Sequence, residues 1–150
     1  MRRSGLQLSG ELTEALPPVS GGRSPVFLLD SLGELAPLYQ LADVAFVGGS
    51  LVPTGGHNPL EPAAFGKPVA FGPAMENFRD IAAELISACA AIQVRSGAEL
   101  GAAWIDLLED DARRSEIGKN ALAVVERHRG ATRATIEHLD ALLATAQVAP

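Results

Sequence analysis

The chain is poor in several things. Of its 150 residues one is cysteine, one tryptophan (Trp104) and one tyrosine; aromatics make up 5%. A single cysteine, Cys89, excludes an internal disulfide framework. Set in an apolar run, it is expected to be a buried, inert thiol. No apolar stretch approaches the roughly 20 residues that a membrane-spanning helix requires. Met1-Arg2-Arg3 is basic, but no apolar run follows it, so no secretory leader is expected. Basic residues are also outnumbered. Twelve Lys and Arg against 18 Asp and Glu leave a net charge of −6, which excludes general nucleic-acid binding through phosphates. His128 and His138 lack a metal-ligand spacing, so no metal site is expected. The basic series Arg113, Arg114, Lys119, Arg127, His128, Arg129 and Arg133 is interleaved with acids and reads as a solvated face, with contact to anionic lipid the alternative. The expected setting is a soluble, cytoplasmic one.

What is there suits a folded domain. Hydrophobic residues make up 47% and charged residues 20%, a globular balance, and the length suffices for one core. Residues 1–25 show no sustained period and carry Pro17-Pro18, Gly21-Gly22 and Pro25. They read as a loose lead-in, with room for a short helix at Leu6 to Leu16. From residue 26 onward, short apolar runs alternate with helical periods. Val26 to Leu29, Val44 to Val47, Val69 to Phe71 and Ala91 to Val94 read as buried parallel strands. Glu34 to Leu41, a segment after Asn58-Pro59, Asn77 to about Ala88, and a segment from Ser96 or Gly97 read as helices. Another opens at Asp110-Asp111, and a last runs from about Ala131 to Ala146. Trp104 falls on an apolar helical stripe and is expected in the core. The alternation predicts an α/β fold with a parallel sheet of about four strands flanked by helices, and a helical C-terminal segment. In such sheets ligands sit beyond the carboxyl ends of the strands.

One segment at such an end carries the chemistry: Gly48-Gly49-Ser50-Leu51-Val52-Pro53-Thr54-Gly55-Gly56-His57-Asn58-Pro59-Leu60-Glu61-Pro62-Ala63. A strand, a glycine-rich turn and a helix start form an anion site, because free N–H groups of a first helical turn point at a phosphate. Gly55, Gly56 and Asn58 are the expected phosphate contacts, with Asn58 the N-cap and Pro59 in the first turn. An ordinary strand-to-helix turn favours the same residues. Glu61 is expected to accept hydrogen bonds from a ribose diol; the plainer alternative is a carboxylate stabilised by the helix start. His57 is placed to donate to a phosphate or a carboxylate, or to support the turn. Ser50 is a further candidate for the phosphate. At the other strand end, Ser31, Leu32, Gly33 and Glu34 are candidates for contact with a nucleoside. They also have the spacing of a capping box, with Ser31 as cap and Glu34 three residues on. Arg79 is either a partner for an anion or a surface charge.

The ordered blocks Asp30-Ser31-Leu32-Gly33-Glu34-Leu35, Ala42-Asp43-Val44-Ala45-Phe46-Val47-Gly48-Gly49-Ser50 and Gly55-Gly56-His57-Asn58-Pro59-Leu60-Glu61-Pro62-Ala63 resemble the carboxyl-terminal half of 3-deoxy-D-manno-octulosonic acid (Kdo) transferases. Gly66-Lys67-Pro68-Val69 and Gly72-Pro73 with Asn77-Phe78-Arg79-Asp80 continue the resemblance, over roughly residues 26–140. It implies a partial Rossmann-like domain of the GT-B glycosyltransferase type that holds the donor CMP-Kdo. No cofactor is implied beyond that substrate. The resemblance further implies transfer of Kdo, with inversion, to a lipid A precursor in lipopolysaccharide synthesis. The amino-terminal domain of such enzymes supplies the catalytic base, holds the acceptor and meets the cytoplasmic face of the bacterial inner membrane. No catalytic residue is therefore expected in this chain, which on this reading is inactive alone. Other GT-B enzymes using UDP-sugars, and a non-catalytic nucleotide- or phosphate-binding fragment, are the alternatives.

Overall fold

The computed structural model describes residues 26, 28–130, 135–140 and 143. The lead-in, residues 1–25, lies outside them, as does most of the expected last helix; 135–140 and 143 are helical. The chain forms two compact units, residues 1–41 and 42–150.

In the first unit, α1 (Leu35–Leu38) runs into a 3-10 turn, Tyr39–Leu41. Pro37 sits within the first turn, where its missing N–H costs nothing. Of the expected strand at 26–29, the described residues show a single bridge, at Leu28. The expected capping box does not form either. The helix begins one residue late with Glu34 at its N-cap position and no side-chain cap. The Ser31 hydroxyl donates to the Glu34 carboxylate instead. Two side chains that satisfy each other leave the backbone uncapped.

The second unit is built on a three-stranded parallel sheet in the order β1-β2-β3. The strands are β1 (Ala45–Phe46), β2 (Val69–Phe71) and β3 (Ala91–Gln93). Ala45 pairs with Val69, and Val69 in turn with Ala91. The ladder runs one residue past two of the strands: Val47 N–H donates to Ala70 O and Val94 N–H to Phe71 O, both at 2.9 Å. Three of the four expected strands thus pair where the apolar runs placed them. β2 is central and buried at every residue, which is why it shows no polar alternation.

Helices α2 (Leu60–Ala63), α3 (Arg79–Ser87), α4 (Gly97–Glu109) and α5 (Asp111–His128) complete the unit. The core gathers Val47, Val69 and Phe71 from the strand segments with Leu85 of α3 and Ala121 and Val124 of α5. Ser96 caps α4, accepting from Glu99 N–H at 3.2 Å, and the Glu99 carboxylate accepts from Arg95 N–H at 2.8 Å. Asp110 caps α5, accepting from Arg113 N–H at 2.9 Å. Helix α5 meets the turn after α2 backbone to backbone. A Cβ on Gly118 would lie 2.1 Å from the Gly66 carbonyl oxygen.

Cys89 corrects an expectation. It is exposed, with φ +51°. It follows α3, where its N–H donates to Ile86 O (3.1 Å) and Ala90 N–H donates to Leu85 O (2.8 Å). This is a Schellman ending, whose left-handed position is usually glycine. The chain reverses so that Leu85 and Ala90 are buried, and the thiol between them is turned outward. Trp104 is half-buried on α4, with its indole N–H unpartnered among the described residues. None of the described helices is long and apolar enough to cross a membrane.

Candidate functional site

Two loops lie beyond the carboxyl ends of β1 and β2, and the backbone sews them together. Ser50 is the first stitch. It is fully buried. Its hydroxyl donates to Val47 O at 2.5 Å and accepts from Gly72 N–H at 2.8 Å. Its carbonyl accepts from Ala74 N–H at 2.9 Å. The sequence offers Ser50 for a phosphate, but both hydroxyl functions are spent inside the protein. It is a tie between strand ends. The backbones there are so close that a Cβ on Gly72 would meet Ser50 O at 2.1 Å.

The glycine loop closes on itself. Gly49 O accepts from Gly56 N–H (3.1 Å) and from the Thr54 hydroxyl (2.7 Å). His57 N–H donates to Gly48 O at 3.3 Å. Gly55 and Gly56 have φ of +88° and +70° and are both buried, a conformation that side-chain-bearing residues adopt at a cost. Neighbours fill the space where a Cβ would stand: the Asn77 amide at 2.4 Å from that of Gly55, and Met75 Sδ at 2.4 Å from that of Gly56.

This closure redistributes the donors. The N–H of Gly56 is taken internally, so Gly56 offers a ligand close approach rather than a hydrogen bond. Pro59 has no N–H. Asn58 Oδ1 accepts from Leu60 N–H at 3.0 Å, the cap bond its position predicts, with Pro59 in helical conformation behind it. The N–H groups of Asn58 and Glu61 have no partner among the described residues. Helix α2 is a single turn, so it offers these N–H groups rather than a long macrodipole. His57 and Glu61 are exposed and Asn58 half-buried. The loop therefore presents an imidazole, a carboxylate and unpartnered N–H groups on a buried glycine floor. His57, Asn58 and Glu61 follow Gly55 and Gly56 directly, at the end of the loop and in the single turn of α2. Ser31 to Glu34 belong to the first unit. There Leu32 is fully exposed and the Ser31–Glu34 pair already described occupies both side chains.

Asn77 and Met75 went unassigned to the site in the sequence. Asn77 reads there as a helix cap, yet α3 has Phe78 at its N-cap position with no side-chain cap bond. Gly72-Pro73 was the available signal, because it ends β2 at the level of the glycine loop. Beside the loop an open groove of about 590 Å³ follows α3, with Phe71, Met75, Arg79, Ala82, Ile86 and Gln93 in its lining. Arg79 is exposed and in no ion pair among the described residues.

Several known proteins resemble the chain in sequence or in fold. The 3-deoxy-D-manno-octulosonic acid transferase of Haemophilus influenzae is 39% identical over 140 residues, covering 93% of this chain and 30% of its own length. That of Bordetella pertussis is 41% identical over 121 residues, covering 80% of this chain and 28% of its own. A crystal structure described as the C-terminal CMP-Kdo binding domain of WaaA from Acinetobacter baumannii superposes with a TM-score of 0.65 at 36% identity. It covers 68% of this chain and 53% of that one. The chain belongs to the Kdo transferase family. It spans less than a third of the length of the two relatives named first, and its match to a solved C-terminal domain places it in the carboxyl-terminal part of the family. No family model matches it.

Proposed function

We propose that this chain is the donor-binding part of a Kdo transferase and that its glycine loop holds CMP-Kdo. The observation that carries the reading is the loop itself. Unpartnered N–H groups of Asn58 and Glu61 stand beside an exposed imidazole and carboxylate at the carboxyl end of β1. The likeness to a solved domain described as binding CMP-Kdo supplies the ligand.

On this reading the CMP phosphate lies over Gly55 and Gly56 and takes the N–H groups of Asn58 and Glu61. The Glu61 carboxylate accepts from the ribose hydroxyls. His57 donates to the phosphate or to the Kdo carboxylate. Transfer breaks the bond between the Kdo anomeric carbon and the phosphate oxygen, and CMP leaves with the electron pair. Donors already aimed at that phosphate stabilise the charge it gains. The new bond forms to a hydroxyl of a lipid A precursor, held with the catalytic base by an amino-terminal domain at the cytoplasmic face of the inner membrane. Ser31, Leu32, Gly33 and Glu34 are the proposed nucleoside contacts of the first unit.

Amide NMR titration of the chain with CMP, UMP and inorganic phosphate tests the reading. Saturable shifts at residues 55–61, largest for CMP, are the expected result. An equal response to all three ligands would reduce the site to a general phosphate turn. Glu61→Gln should weaken CMP about tenfold, the scale of one charge-assisted hydrogen bond, and leave phosphate binding unchanged.

A further inference from the structure

We infer that Asn77 is a positioning residue for the nucleotide loop, holding Gly55 and Gly56 in the geometry that sets Asn58 and Glu61. The inference rests on the reading that this loop binds the donor.

Asn77 lies in the middle of the 3-10 turn Glu76–Phe78, between β2 and α3. Such a residue ordinarily caps the helix that follows. Its backbone and side chain are both directed elsewhere. Asn77 N–H donates to Gly55 O at 3.1 Å, and its side-chain Nδ2 donates to Gly56 O at 3.4 Å. The same amide packs on the Cα of Gly55, filling the volume a side chain there would need. The contacts bridge two loops separated by 21 positions in sequence. Together with Ala74 N–H on Ser50 O, they fasten the post-β2 segment to the glycine loop.

Fastening adds to the loop's own closure, and it acts on the two residues that need it most. Two consecutive glycines with positive φ have the largest conformational freedom of any pair when unconstrained. The bonds that close the loop within itself, Gly56 N–H to Gly49 O and His57 N–H to Gly48 O, are 3.1 and 3.3 Å long. With the carbonyls of both glycines held by Asn77 as well, the peptide planes that lead into Gly56 and His57 are set before ligand arrives. A site ordered in advance loses less entropy on binding. Met75 reinforces the hold at Gly56 and also lines the groove along α3.

The test compares Asn77→Ala with Asn77→Asp. Alanine removes both the packing and the side-chain donor. Aspartate keeps the size but sets an acceptor against the Gly56 carbonyl. Glu84→Gln is the control, since it breaks an ion pair between α3 and α5 without touching the loop. Three readouts are taken on each: far-UV circular dichroism with the thermal midpoint, CMP affinity, and amide hydrogen exchange at Gly56 and His57 against that of β2. The expected result is CMP affinity about tenfold weaker in both Asn77 variants, the scale of one hydrogen bond and its ordering. Exchange at Gly56 and His57 should rise while β2 stays protected, a local opening rather than a global one. Glu84→Gln should lower the midpoint and leave CMP affinity as it was. Wild-type affinity and wild-type exchange in both Asn77 variants would overturn the inference. An unmodified chain that binds no CMP would instead overturn the donor reading, and exchange at Gly56 and His57 would still decide whether Asn77 holds the loop.

Discussion

Gly55 is the position with the fewest alternatives. Its φ of +88° and the amide of Asn77 packed on it leave no place for a side chain. Gly55→Ala should cost about 1–3 kcal/mol, from the disfavoured backbone and the overpacking together, read as a lower urea midpoint at unchanged m. It should also abolish the CMP response at residues 55–61. Cys89 points the other way. It holds a left-handed φ of +51° at the end of α3, with the side chain in solvent. Cys89→Gly should stabilise the chain by roughly 0.5–1 kcal/mol, the relief of a strained Cβ less the added freedom of the unfolded chain. An unchanged or lower thermal midpoint would contradict that account. At this scale the sequence was legible where one residue type meets one backbone need. Asn58 before Pro59 announced its cap bond. Ser50 was not legible, because a hydroxyl after a strand looks the same whether it faces a ligand or a neighbouring strand. Cys89 was misread because its apolar neighbours, Ala88 and Ala90, suggested burial, while the helix ending that turns it outward leaves no mark in composition.

Among the elements, α5 shows how a helix can be fixed by what it lacks. Glycine within a helix ordinarily costs about 1 kcal/mol against alanine. Gly118 is there because the Gly66 carbonyl occupies the space its side chain would take. Gly118→Ala should therefore destabilise by about 1–3 kcal/mol in spite of better helix propensity, measured by chemical unfolding; a gain would show that α5 can slide off the turn. At its other end α5 is tied to α3 by one carboxylate. Glu84 accepts from Arg127 Nη2 at 2.9 Å and lies 2.6 Å from His128 Nε2. The His128 and Arg127 hydrogen bonds hold its carboxyl below the ordinary glutamate value. A carboxyl depressed in the folded state stabilises above its unfolded pKa and loses that contribution as pH falls through the folded one. The gap in thermal midpoint between the wild type and Glu84→Gln should thus be present at pH 6–7 and close below about pH 4, near the ordinary glutamate range. A gap that persists at pH 3 would mean that Glu84 acts through packing. Helices α4 and α5 were legible at their starts, where Ser96 and Asp110 are caps by residue type, while those of α1 and α3 were not. The tie at Glu84 was not, since charges distant in sequence carry no sign of which will meet.

For the whole molecule, periodicity located the three paired strands and most helices, because a central parallel strand must be apolar throughout and an exposed helix must be apolar on one side. The fourth expected strand shows the limit. The run at 26–29 has strand composition, but Val26 and Leu28 are exposed and only a lone bridge forms. The order β1-β2-β3 has a consequence for how the molecule is made. Among the described residues each strand of the sheet pairs with its neighbour in sequence, so none of the three waits for one synthesised much later. As the chain leaves the ribosome, β2 meets β1 and β3 then meets β2. This sheet can grow in the order of translation, with α5 packing on it afterwards.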